Sequence, residues 1–208
     1  MKQIFSLILV TATTFATAQI KLAAKGNLLF KTDKPTWEAI SNTATTAYKE
    51  SGKNNVGFNF GLSAKIDFPV TSFFLMPEIY YTTFKSEFDV PNENVTLEIK
   101  SNRIDIPVLL GYNLFGNTLG VFAGPVASYN FDKNDQFKDF TEDTKNKFLM
   151  GYQFGAQVQI SKMILNARYE GAFGQDQRDF INKTNPTDYV VRYDSRPSMV
   201  IFGVGYQF

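Results

Sequence analysis

Few residues in this sequence could do chemistry, and their spacing says more than their number. Histidine and cysteine are absent from all 208 residues. That removes the commonest general base and metal ligand, together with any disulfide or thiolate site. What remains are charges at alternate positions of otherwise apolar or small-residue segments: Lys21, Lys25, Lys65, Glu78, Arg103, Asp105, Arg168 and Glu170. Glu78 and Asp105 could work together as an acid–base pair. Neighbouring lysines and arginines make ion pairing the simpler chemistry, because a buried charge survives only when it is paired or hydrated. The eight are expected to form an internal charge network that fills space; the competing reading is a path for ions or protons. Acyl-transfer chemistry at a serine would need a histidine to move the proton, so no enzyme activity and no catalytic residue are expected. The acidic cluster Asp132, Asp135, Asp139, Glu142 and Asp143 lacks the spacing of a dedicated calcium loop. It reads as a solvated loop, with no metal or cofactor expected.

The elements that must position these charges are strands. Residues 199–208, MVIFGVGYQF, place Val200, Phe202, Val204, Tyr206 and Phe208 at every second position. That is the period of a strand with two unlike faces. The same alternation recurs over 20–30, 56–66, 73–83, 102–112, 118–131, 148–160 and 163–174, making eight segments of about the 9–11 residues that cross a bilayer at a tilt. The links alternate in length. Residues 67–72, 113–117 and 161–162 are tight turns, whereas 31–55, 84–101, 132–147 and 175–198 are long. Short turns on one rim and long loops on the other are the habit of outer-membrane barrels, with the turns periplasmic. Residues 189–193, YVVRY, are expected to continue as strand beyond the membrane.

The second face decides whether lipid or water lies outside. It carries Gly57, Gly61, Gly111, Gly120, Gly124, Gly151, Gly155, Gly203 and Gly205 with the charges between them, which suits a crowded lumen better than a wetted exterior. The apolar face carries Phe30, Tyr81, Tyr112, Tyr129, Phe148 and Phe173 near segment ends, as interfacial girdles require. The fold expected is all-β: one eight-stranded antiparallel up-and-down transmembrane barrel over residues 19–208. Residues 1–18, a positive start and a short apolar run ending in Ala16-Thr17-Ala18, read as a signal peptide for export. Pro77, Pro107 and Pro125 fall inside strands, where a closed barrel has no free edge for them, so local bulges are expected there. Leu110→Arg should place a charge in lipid, while Leu109→Gln, facing the lumen, should be much milder.

The ending Gly203-Val204-Gly205-Tyr206-Gln207-Phe208 resembles the C-terminal signal read by the barrel-assembly machinery, with Gly203, Val204, Tyr206 and Phe208 in the recognised positions and Ile201 as a mild departure. Residues 106–112 (IPVLLGY), Ala123-Gly124-Pro125, Arg168-Tyr169-Glu170 and the GYQF end together resemble the small PorT-like outer-membrane barrels of Bacteroidota, eight-stranded barrels of the OmpX/OmpA type. The resemblance implies outer-membrane location, lipid as surroundings and the assembly machinery as a transient partner. Its motifs describe architecture, so the association of PorT with type IX secretion is not carried over. The formal charge of +1 leaves no footprint for nucleic acid. The role expected is structural or interactive, through extracellular loops, with a plugged polar lumen. Trp37 and Tyr48 in the first long loop are the candidate contacts for a protein partner. The alternatives are a narrow porin-like channel for ions or small solutes, or an accessory part in secretion.

Overall fold

The computed structural model describes residues 19–32, 36–41, 46–51, 53–54, 56–89, 96–116, 118–131, 140–144, 148–173, 176–182, 189–195 and 198–208; the expected signal peptide, 1–18, lies outside them. Eight strands form the wall: β1 (Gln19–Lys31), β2 (Gly57–Asp67), β3 (Phe73–Asp89), β4 (Thr96–Asn113), β5 (Leu119–Asn130), β6 (Phe148–Ile160), β7 (Met163–Ala172) and β8 (Met199–Gln207). Each pairs antiparallel with its neighbour in sequence, and β8 returns to β1 from Lys31↔Met199 to Ala23↔Gln207. Closure leaves the wall no edge, which is what a sheet surrounded by hydrocarbon requires.

The alternation of side chains sets the two faces. Leu110 is 52% exposed on the outer surface, while Leu109, one residue earlier, is completely buried inside. Phe60, Val108 and Phe154 also face outward, as do the aromatic side chains near the strand ends. The interior differs from expectation in one respect. Glycines, amides and ion pairs do not fill it alone: Leu29, Phe84, Met199 and Ile201 form one buried apolar cluster, and Phe74, Met76, Leu109 and Phe122 another. Their signal in the sequence is the uninterrupted apolar run, such as Phe73–Met76 or Val108–Leu110, in which the inward residue hides between two outward ones. Several glycines make room for these clusters: a Cβ at Gly111 would overlap the ring of Phe74, and one at Gly57 the ring of Phe84. Leu109→Gln would therefore enter a packed apolar cluster, and the expectation of a mild effect is corrected.

The prolines bring a second correction. Pro77 stays paired with Val108, Pro107 with Val126 and Pro125 with Tyr152. On its other side each interrupts the ladder, but the register is the same before and after the gap, as in Ser63↔Glu78 and Ile66↔Leu75. No extra residue is inserted, so the expected bulges are absent from the described barrel ladders. In an antiparallel sheet a residue aims its N–H and C=O at one neighbour only. A proline thus removes a bond on one side and leaves the other side intact.

Beyond the membrane the wall continues as sheet. β3 and β4 extend past the expected ends, pairing from Phe84↔Ser101 to Asp89↔Thr96, and Lys53–Asn54 adds to β3. Five further strands run antiparallel in the order Thr46–Ser51, Thr36–Ser41, Tyr189–Ser195, Asp176–Asn182 and Phe140–Thr144. The strand expected at 189–193 is among them. Trp37 pairs with Tyr193 and Glu50, and Tyr48 with Ala39, so both candidate contacts sit in this outer sheet. Glu142 and Asp143 lie on its last strand, whereas Asp132, Asp135 and Asp139 lie outside the described residues.

Candidate functional site

The charged residues singled out in the sequence meet inside the barrel in two groups of opposite net charge, which balance each other, and a third at its foot. Glu78 on β3 is the hub of the first. Its Oε1 accepts from Lys25 Nζ at 2.7 Å and from the Tyr80 hydroxyl at 3.1 Å, and its Oε2 from Arg168 Nη1 at 2.6 Å. Arg103 on β4 is the hub of the second. It lies 2.9 Å from Asp105 by Nε and 2.6 Å from Glu170 by Nη2. Asp105 takes two more bonds, from Thr82 and Ser128, each at 2.5 Å. Gln153 joins the groups, donating to Glu170 at 2.6 Å and accepting from Arg168 at 3.2 Å.

A chain of amides extends the first group around the wall: Arg168 Nε donates to Asn166, Asn166 to Asn27 and Asn27 to Asn59, at 3.0, 3.0 and 2.6 Å. Gly203 lies against the Asn27 amide, where a Cβ would collide. Two buried donors, Asn130 Nδ2 and Arg168 Nη2, have no hydrogen-bond partner among the described residues. The Arg168 guanidinium also lies 5.1 Å from the Phe122 ring centre and 5.9 Å from that of Tyr80, a cation–π arrangement that favours the charge.

The foot group is built differently. Lys21 Nζ meets Asp67 at 2.7 Å and Lys65 Nζ meets it at 3.3 Å; Lys65 also donates to Asn113 at 2.8 Å and stands 4.5 Å above the Phe74 ring. Asp67 was assigned to a turn in the sequence reading and so was missed as the partner of both lysines. Its signal was position: it sits two residues beyond Lys65, on the same face of an alternating strand.

Chemically, the arrangement stores charge. Three cations (Lys25, Arg103, Arg168) face three carboxylates (Glu78, Asp105, Glu170), and every one of these carboxylates has at least two donors. A general acid or base needs an oxygen free for substrate. Among the described residues no group of His, Cys, Asp and Glu could hold a metal ion. At the C-terminus Val204, Tyr206 and Phe208 lie on the lipid side, the Tyr206 and Phe208 rings are 6.2 Å apart, and the Phe208 N–H donates to the Leu22 carbonyl at 3.0 Å.

Solved structures similar in fold include two outer membrane proteins. The crystal structure of the outer membrane protein OprG from Pseudomonas aeruginosa superposes with a TM-score of 0.64 at 11% identity, over 92% of this chain and 96% of that one. The solid-state NMR structure of outer membrane protein AlkL in lipid bilayers gives 0.55 at 13% identity, over 91% and 90%. At such identities the likeness is one of fold. No curated protein matches the sequence. The sequence profile of the outer membrane protein beta-barrel domain matches residues 19–175. The alternation, the closed sheet and this match agree: the chain belongs to the outer membrane protein beta-barrel domain family.

Proposed function

We propose that this protein is a plugged, non-enzymatic barrel that acts at the cell surface through its extracellular sheet. The observation that carries the reading is the layered interior. Leu29, Phe84, Met199 and Ile201 pack in one buried cluster and Phe74, Met76, Leu109 and Phe122 in another, and the paired charges are buried with them. An eight-stranded wall has an interior that side chains can fill, and apolar layers beside a neutralised ionic one oppose the passage of a hydrated ion. The test is a planar bilayer: purified protein should give no unitary conductance, and reproducible single-channel steps would support the narrow channel instead.

The outer sheet holds Trp37 and Tyr48, the residues proposed to meet a protein partner. Photo-crosslinkers at these two positions in native outer membranes should capture one defined protein, and a crosslinker at lipid-facing Phe60 should not. Equal capture from all three would remove the surface role. The PorT-like resemblance favours a second role, as an accessory in secretion, which loss of surface-protein export on gene deletion would support. Export by the 1–18 segment and reading of the C-terminal residues by the assembly machinery belong to the same proposal.

A further inference from the structure

The three short turns of the periplasmic rim are chemically unlike one another. The β6–β7 turn is Ser161-Lys162, exposed and charged, with Lys162 Nζ 5.7 Å from the Tyr206 ring. The other two carry no charge: residues 68–72 read FPVTS and residues 114–118 read LFGNT. Their apolar side chains project outward. Val70 is 106% exposed, Phe115 72% and Leu114 48%. Such residues at a turn tip are costly in water.

The backbone of the first turn makes the choice of residue more pointed. Pro69 and Val70 occupy the two central positions of a tight turn closed by Thr71 N–H to the Phe68 carbonyl at 3.4 Å, and Val70 has φ 63°. That position normally takes Gly or Asn, and a β-branched side chain there is strained. In the second turn the positive φ, 57°, falls on Gly116, where it is unstrained.

Both turns close part of their own backbone. Phe68 N–H donates to the Phe73 carbonyl at 3.0 Å, Phe73 N–H to the Thr71 hydroxyl at 3.3 Å, and Leu114 N–H to the Leu119 carbonyl at 2.8 Å. Asn113 N–H ties one turn to the other through the Ser72 carbonyl at 2.8 Å. Directly above them the Phe73 and Tyr112 rings pair edge to face at 5.0 Å on the lipid side of the wall. The exposed turn residues thus continue the lipid-facing surface into the headgroup zone, where backbone groups left unpaired still meet water.

We propose that the β2–β3 and β4–β5 turns insert Val70, Leu114 and Phe115 into the periplasmic leaflet of the outer membrane, while Lys162 holds the β6–β7 turn in water. The barrel is then seated deeper on its β2–β5 side. Its ligand there is phospholipid, in the zone where headgroups meet acyl chains.

The lack of native cysteine makes the test clean. Val70→Cys, Phe115→Cys and Lys162→Cys, each carrying a small fluorophore, are reconstituted in phosphatidylcholine nanodiscs, where both rims are reachable, and folding is verified by heat-modifiable gel mobility. A nitroxide lipid labelled near the headgroup should quench positions 70 and 115 at least about twofold more than position 162, with aqueous iodide showing the reverse order. Iodide quenching at 70 and 115 equal to that at 162 would overturn the proposal. An unlabelled check is the double variant Val70→Asn, Phe115→Ser. It should fold into detergent micelles as the parent does but insert less completely into phosphatidylcholine vesicles; parental insertion into vesicles would also overturn the proposal.

Discussion

Glu78 and Asp67 make similar contacts at two depths of one barrel. The Glu78 carboxylate meets Lys25 and Arg168 with no solvent exposure on its own or the lysine side chain, whereas Asp67 and Lys21 keep 18% and 17% of theirs. In the deep group the attraction must offset desolvation of each ion, so the pair adds little net stability, but removing one partner strands the others. At the foot, water reaches the Lys21–Asp67 pair, which matters little either way, although Lys65, with a side chain only 6% exposed, also leans on Asp67. The deep group also joins strands that are not neighbours in the wall, β1, β3 and β7. Nearly equal bonds thus differ in reach and in wetness: the inner set spans the lumen out of water, and the foot set ties β1, β2 and β4 at the wetter rim.

Urea titrations of folding into lipid vesicles would break or sharpen this contrast. Glu78→Gln leaves Lys25 and Arg168 short of a counter-charge and should cost about 3–5 kcal/mol; a loss no greater than that of a foot variant would erase the distinction. Leu110→Arg tests the wall on the other side of the same sheet, two residues from interfacial Tyr112, and should cost about 1–3 kcal/mol, between the values for a cation at the interface and at mid-depth. One residue earlier, Leu109→Gln buries an amide among Phe74, Met76 and Phe122, costing about 1–3 kcal/mol if its hydrogen bonds go unmade. A neutral result there would mean the cluster is wet. Lys21→Gln, which leaves Asp67 its contact with Lys65, should cost about 0–1 kcal/mol, and what remains should fade in concentrated salt, which screens exposed charges, while the Glu78→Gln loss persists. Deleting Phe208 should slow assembly in cells and hardly move the urea midpoint of barrels already folded; equal damage to both would remove its proposed role as a signal.

The wall was legible because its code is local. Alternation of side chains needs no knowledge of partners, so Leu110 and Leu109 could be assigned to opposite faces from order alone, and the eight strands and three turns could be counted. Local order falls short where alternation lapses. In Phe73–Met76 two apolar residues face in and two face out, and composition does not say which surroundings each will meet. The prolines were misjudged because a bulge was expected where the ladder could instead lose bonds on one side only.

What the linear order determined was the chemistry available and the side on which it would stand: no histidine, no cysteine, charges on the small-residue face, apolar side chains on the other. Partnership belonged to the tertiary structure. Glu78 finds Arg168, 90 residues away, because closure and register bring β3 and β7 to face each other across the lumen. Asp67 meets Lys65 because the two share a face of one strand, and Lys21 because the register of β1 on β2 sets it alongside. A side chain's face is set by its immediate neighbours along the chain, but its contacts across a closed barrel are set by how every strand is staggered against the next.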